Sequence, residues 1–163
     1  MSKGYDLNFQ VRLETDLDLP LARLRRAIEW VLRAHGVAPV TGISVVITDD
    51  GEIQRLNQQF RGMDAPTDVL SFPNEPMPGE DEPYLGDLIL ALPYIQHQAE
   101  EGQHTLSDEL VLTVIHGTLH LLGYDHDNAK RQTEMWEKQA EALRAMDVDI
   151  TVPRFEFSDG TGD

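Results

Sequence analysis

Three histidines stand close enough in the chain to share one metal ion. They belong to an unbroken run of His116, Gly117, Thr118, Leu119, His120, Leu121, Leu122, Gly123, Tyr124, Asp125 and His126. Residues four apart on a helix are neighbours on one face, so His116 and His120 can aim their imidazoles at an ion about 2.0–2.1 Å from each. Gly123 can take the left-handed backbone that ends a helix, which would turn the chain back and bring His126 to a third corner. Three neutral nitrogens leave a fourth position open for water, the arrangement of a catalytic zinc site. The competing reading is that three of the chain's six histidines fell together by accident, as satisfied core or surface residues. The chain has no cysteine, which removes thiolate zinc sites, disulfides and cysteine nucleophiles together. His35 follows a helical segment, and His97 and His104 lie in polar, acid-rich sequence. These three read as surface histidines.

The spacing H-x-x-x-H-x-x-G-x-x-H is that of the metzincin proteases, which carry a glutamate after the first histidine to activate the metal-bound water. Here that position is Gly117. Loss of such a base costs roughly two to four orders of magnitude in rate. The ligand set is therefore that of a zinc hydrolase without the peptidase base. Leu56 to Pro73 offers further chemistry, with polar residues gathered between a helix and a strand and with Gly62 and Pro66 shaping the turn. Within it Arg61 stands out, because its planar fork suits phosphate oxygens and would offset negative charge beside a divalent ion. An ion pair with Asp64 or Asp68 fits the same spacing. Asp87, inside an apolar strand, is either a buried partner of that loop or an inward charge on a strand edge.

The elements that must position these residues follow from hydrophobic periodicity. Tyr5, Leu7, Phe9, Val11 and Leu13 alternate with polar residues and predict a strand with one buried face. Leu21 to Leu32 has helical spacing up to Gly36. Ile43 to Thr48 is a buried strand, and Asp49 to Gly51 leads into a helix with Ile53, Leu56 and Phe60 on one apolar face. Strands are predicted near Val69 to Phe72 and over Leu85 to Leu92, with an exposed acidic loop between Asn74 and Pro83. From Ser107 to Leu122 apolar residues fall nearly all round the helical wheel, so this helix is expected to be central and buried. A last helix over about Asn128 to Met146 presents Met135, Trp136, Ala140, Leu143 and Met146. Neither a repeat nor a dividing linker is present, which suits one domain over residues 1–150 followed by an acidic, flexible tail at 151–163.

Composition limits the partners. No apolar run reaches the roughly 20 residues that span a bilayer, so no membrane association is expected. The first residues show neither a basic leader nor an apolar core, which predicts a cytoplasmic protein. The net charge of −16 argues at first against nucleic acid. Half of it, however, lies in Asn74–Glu82 and Asp147–Asp163, which carry −8 between them. Arg23, Arg25, Arg26 and Arg33 crowd one helix, where a solvated surface is the plainer reading and a local basic face the alternative.

Two stretches carry a resemblance to a known family. The run from His116 to His126 fits H-G-x-L-H-L-x-G-Y-D-H throughout, and Thr67 to Pro73 reads T-D-V-L-S-F-P, with a weaker echo at Leu85, Gly86 and Asp87. On these the chain resembles the YbeY family, bacterial single-strand-specific endoribonucleases of ribosomal RNA maturation. Phe60 departs from the pattern, standing where tyrosine is expected, and the chain after Met146 follows no family pattern. The resemblance implies an α+β fold, a central sheet of about four strands surrounded by about five helices. It also implies zinc, or another divalent metal, on His116, His120 and His126, and a catalytic or RNA-positioning Arg61. The implied substrate is ribosomal RNA of the small ribosomal subunit, with protein partners on the ribosome and no DNA. The alternatives are a metalloprotease-like hydrolase and a ribosome-associated metal-binding factor without catalysis. The acidity then becomes a constraint: non-specific affinity for RNA is expected to be weak, so the substrate is reached through a partner or the ribosome.

Overall fold

A computed structural model describes residues 4–75 and 83–150. Most of the acidic loop and the whole expected tail lie outside the described residues. The elements run β1 (Asp6–Val11), α1 (Leu21–Ala34), β2 (Gly42–Thr48), α2 (Asp50–Arg61), β3 (Val69–Pro73), β4 (Tyr84–Ala91), α3 (Leu92–Gly102), α4 (Leu106–Leu121) and α5 (Ala129–Ala145). The four strands form one sheet in the order β1-β2-β4-β3. β1, β2 and β4 are parallel, and β3 returns antiparallel to β4, pairing Leu70 with Ile89 and Phe72 with Asp87. The α+β architecture with four strands and five helices is as expected.

The sheet is covered on both faces, as the continuous apolar runs of β2 and β4 require. Ile43, Val45 and Ile47 of β2 and Leu88 and Leu90 of β4 face a large core shared with Leu24, Ile28 and Val31 of α1, Leu110, Val111, Val114 and Ile115 of α4, and Met135 and Leu143 of α5. On the other face Val46, Leu70, Ile89 and Ala91 meet Ile53 of α2 in a smaller cluster. α4 is central as predicted, touching α1, α3, α5, β3 and β4. It comes close to the sheet at Gly117: a β-carbon there would lie 2.8 Å from Leu88 Cδ2 and 3.4 Å from Ser71 Oγ.

The structure departs from the sequence reading in four places. α3 continues directly from β4 with Pro93 in its first turn, where a missing N–H costs nothing. No loop residues announce it. Of the expected apolar face of α2 only Ile53 is fully buried, while Leu56 packs partly and Phe60, in the last turn, is 59 % exposed. Asp87 lies opposite Phe72 on an interior strand rather than on an edge; it accepts a hydrogen bond from the Tyr84 hydroxyl, which also sits 2.8 Å from Ser44 Oγ. His35 is half-buried rather than a surface residue, its Nδ1 2.8 Å from the Val31 carbonyl and its Nε2 3.0 Å from the Tyr124 hydroxyl. Three of the four arginines on α1 meet neighbouring groups of the protein. Arg23 pairs with Asp108 at 2.7 Å, Arg25 donates to the Leu7 carbonyl and lies over Phe9, and Arg33 approaches Glu29 and Tyr5. No helix among the described residues is long and apolar enough to cross a membrane.

Candidate metal centre

The three histidines converge because α4 supplies two of them from one face and the turn after it returns the third. α4 ends at Leu121, and Gly123 has φ +102°, a conformation that side chains disfavour. The Gly123 N–H donates to the His120 carbonyl and the Tyr124 N–H to the Leu119 carbonyl, both at 3.0 Å, the paired bonds of a Schellman turn. His126 follows in the loop before α5, where Asn128 caps the helix by accepting from the Arg131 N–H. The Tyr124 hydroxyl bond to His35 ties the returning loop to the end of α1.

His116, His120 and His126 each offer a ring nitrogen, and these nitrogens lie within 4.8 Å of one another. The Nε2 atoms of His116 and His120 are 3.1 Å apart. Two ligands of a tetrahedral ion with bonds of about 2.0–2.1 Å stand roughly 3.3 Å apart, so the pair is already near the spacing such an ion requires. His126 Nε2 is buried with no hydrogen-bond partner, an orphaned lone pair at the cluster. Burial, reinforced by the two neighbouring imidazoles, lowers the pKa of His120 to about 3, which keeps its ring neutral at physiological pH. A neutral nitrogen donor is what a divalent cation needs. The residues therefore fit a metal ion.

Further side chains fix the ligand rings. The Gln139 amide oxygen, on α5, accepts from His116 Nδ1–H at 2.5 Å, which assigns the proton to Nδ1 and turns the Nε2 lone pair towards the cluster. Trp136, one turn earlier, packs its ring 5.9 Å from His116 and 5.7 Å from His126, centroid to centroid. Sequence reading missed Gln139, although a signal was present. Met135, Gln139, Ala142 and Leu143 make up the buried face of α5, and a lone polar residue on such a face implies a buried partner.

Arg61 comes to the same place from the other side of the sheet edge. A cleft of about 590 Å³ runs along β3, lined by Phe60 and Arg61 from α2, by Val69 to Pro73, and by His120, Gly123, Tyr124 and Asp125. Gly62, at φ +72°, ends α2 and leaves Arg61 in its last turn at the cleft mouth. Asn57 braces the turn, donating through Nδ2 to the Ala65 carbonyl at 2.9 Å. Beyond the turn, Asp64 accepts from Gln54 Nε2, and Asp68 accepts from the Val69 N–H. Gly117 packs against Leu88, with Ser71 and Val69 beside it, so a side chain at the position where a metzincin carries its glutamate would press on Leu88.

Comparison with known proteins agrees with this geometry. The sequence profile of Endoribonuclease YbeY matches residues 10–147. The chain is 44 % identical over 134 residues to Endoribonuclease YbeY of Moorella thermoacetica, an alignment covering 77 % of this chain and 85 % of the relative. It is 41 % identical over 131 residues to Endoribonuclease YbeY of Bacillus licheniformis, covering 76 % and 83 % of the two chains. The solution structure of a Thermotoga maritima protein superposes with a TM-score of 0.60 at 33 % identity, covering 86 % of this chain and 88 % of that one. On profile, sequence and fold together, the chain belongs to the endoribonuclease YbeY family.

Proposed function

We propose that this protein is a zinc-dependent, single-strand-specific endoribonuclease that acts in ribosomal RNA processing, in 16S maturation and in ribosome quality control. The observation that carries the reading is a three-histidine cluster that reaches, through His120, the cleft that Arg61 also lines. His116, His120 and His126 would hold the ion, and Arg61 would be the catalytic cation. When bound, zinc supplies Lewis acidity towards a phosphodiester oxygen and makes a coordinated water more acidic. The guanidinium of Arg61 binds the non-bridging oxygens of the scissile phosphate and offsets the charge that grows on them in the transition state. Gln139 holds His116 in the ligating tautomer, and Trp136 keeps water off the buried side of the rings. One domain over residues 1–150 carries this activity. Within a cytoplasmic setting, the small ribosomal subunit and its protein partners bring the RNA to a chain whose net charge of −16 repels free polyanions.

The metalloprotease alternative shares the ligands, and the open edge of β3 could pair with an extended peptide. Gly117 counts against it, since the base of that mechanism is missing and its place is filled by Leu88. Cleavage of an unstructured RNA by the purified protein tests the choice. Activity is expected to vanish with a chelator and to return with zinc. Metal-dependent cleavage of unfolded protein, with none of RNA, would reverse it.

A further inference from the structure

Phe60 occupies a position that the helical pattern marks for the core, yet it is 59 % exposed, more than any other large apolar side chain among the described residues. Its ring is held from behind: Phe60 and Phe72 meet edge to face with centroids 5.3 Å apart and planes at 67°. Phe72 is itself anchored on β3 against the smaller core cluster. Both rings line the cleft that contains Arg61 and His120. A single-stranded polynucleotide alternates anionic phosphates with planar bases, and adjacent side chains here alternate a π-face with a guanidinium. Bases in a duplex already stack on both faces and cannot use such a ring, whereas an unpaired base can. Every base has a π-face, so a platform of this kind tolerates any sequence.

We propose that Phe60, backed by Phe72, is the stacking platform for one unpaired nucleobase of the strand whose phosphate meets Arg61. Phe60 is thus a substrate-positioning residue that selects single strands. This rests on the ribonuclease reading and adds the substrate feature that the cleft recognises beside the phosphate. Tyrosine at the same place would offer an equivalent face, so the Phe60 departure from the family pattern preserves the platform.

The test compares binding of a short unstructured RNA with binding of the same strand lacking its bases, in zinc-loaded native protein and in Phe60→Leu, with strand integrity checked on a gel. Leucine keeps the apolar bulk and removes the π-face; because the ring is exposed, the variant is expected to melt as the native protein does. Phe60→Leu is expected to bind the intact strand about tenfold more weakly and the base-free strand as the native protein does. Phe60→Tyr and Phe60→Trp are expected to restore the native preference. Unchanged affinity of Phe60→Leu for the intact strand would overturn the platform, as would an equal loss on both strands. Cleavage recorded in the same samples separates the two proposals. Native protein that cuts RNA while Phe60→Leu binds normally removes the platform alone. Native protein that prefers the intact strand but cuts no RNA with any divalent metal removes the ribonuclease reading and leaves the platform standing.

Discussion

On the histidine wall of the cleft the rings of His116 and His126 pack against other side chains, whereas on the opposite wall Phe60 and Arg61 lie exposed at the end of α2. Gln139 and Trp136 fix His116, the Schellman turn at Gly123 fixes the return to His126, and His35 fixes Tyr124 between them. On the other wall Asn57 bonds to the turn after α2 and Phe72 backs Phe60. The difference matches what each wall has to hold. A metal site must be correct to a fraction of an ångström before the ion arrives. A long polyanion brings its own contacts, and exposed groups can adjust to it. Substitutions on the histidine wall should therefore disturb metal content and stability together, and those on the Arg61 wall should change RNA handling alone.

The largest effect is expected from His120→Ala. Removing one of three ligands should abolish stoichiometric zinc, measured by elemental analysis against about one zinc per native chain, and reduce cleavage to background. Chelation of the native protein comes next. An ion present at a thousand times its dissociation constant stabilises the folded state by about 4 kcal/mol, so calorimetry should show a melting temperature several degrees lower without it. An unchanged melting curve would break the comparison at its root. Gly117→Ala should cost roughly 1–3 kcal/mol in a denaturant titration, because its methyl group would press on Leu88. Gln139→Leu should weaken zinc affinity by about 10–100-fold, as loss of a ligand-orienting partner does, and Gln139→Glu should recover most of it by restoring an acceptor. Equal affinities in the native protein and Gln139→Leu would show that the wall is not braced as described. Smallest of all, Tyr84→Phe should cost roughly 1 kcal/mol through the lost bond to Asp87, with no change in zinc content. Burial, with Asp87 beside it, raises the Tyr84 pKa, so its phenol should ionise above the ordinary tyrosine range in a spectroscopic pH titration.

Much of the histidine wall was legible in the chain because helical spacing and one glycine suffice to bring three neighbouring ligands together. The same locality made α4 readable, since apolar residues all round a helix require burial. On the other wall Arg61 stood out by its chemistry, and family resemblance strengthened it against an ion pair. Nothing in the spacing tells that the last turn of α2 is exposed, so Phe60 read as core. α3 was missed because β4 passes into it without turn residues, and the acids around His97 obscured Ile95 and Ala99, which are buried. Gln139 was missed for the opposite reason: its signal lay in the α5 pattern, but its partner is 23 residues away on another helix. Contacts across elements depend on where helices dock, and periodicity gives which face docks but not how far along.

The most direct test of the division between the walls is zinc content and RNA cleavage measured on the same sample of Arg61→Ala. Native zinc stoichiometry is expected, with cleavage reduced by about 10²–10³-fold, the scale of losing one charge-stabilising group. Native cleavage by that variant, or loss of zinc along with the activity, would contradict that division.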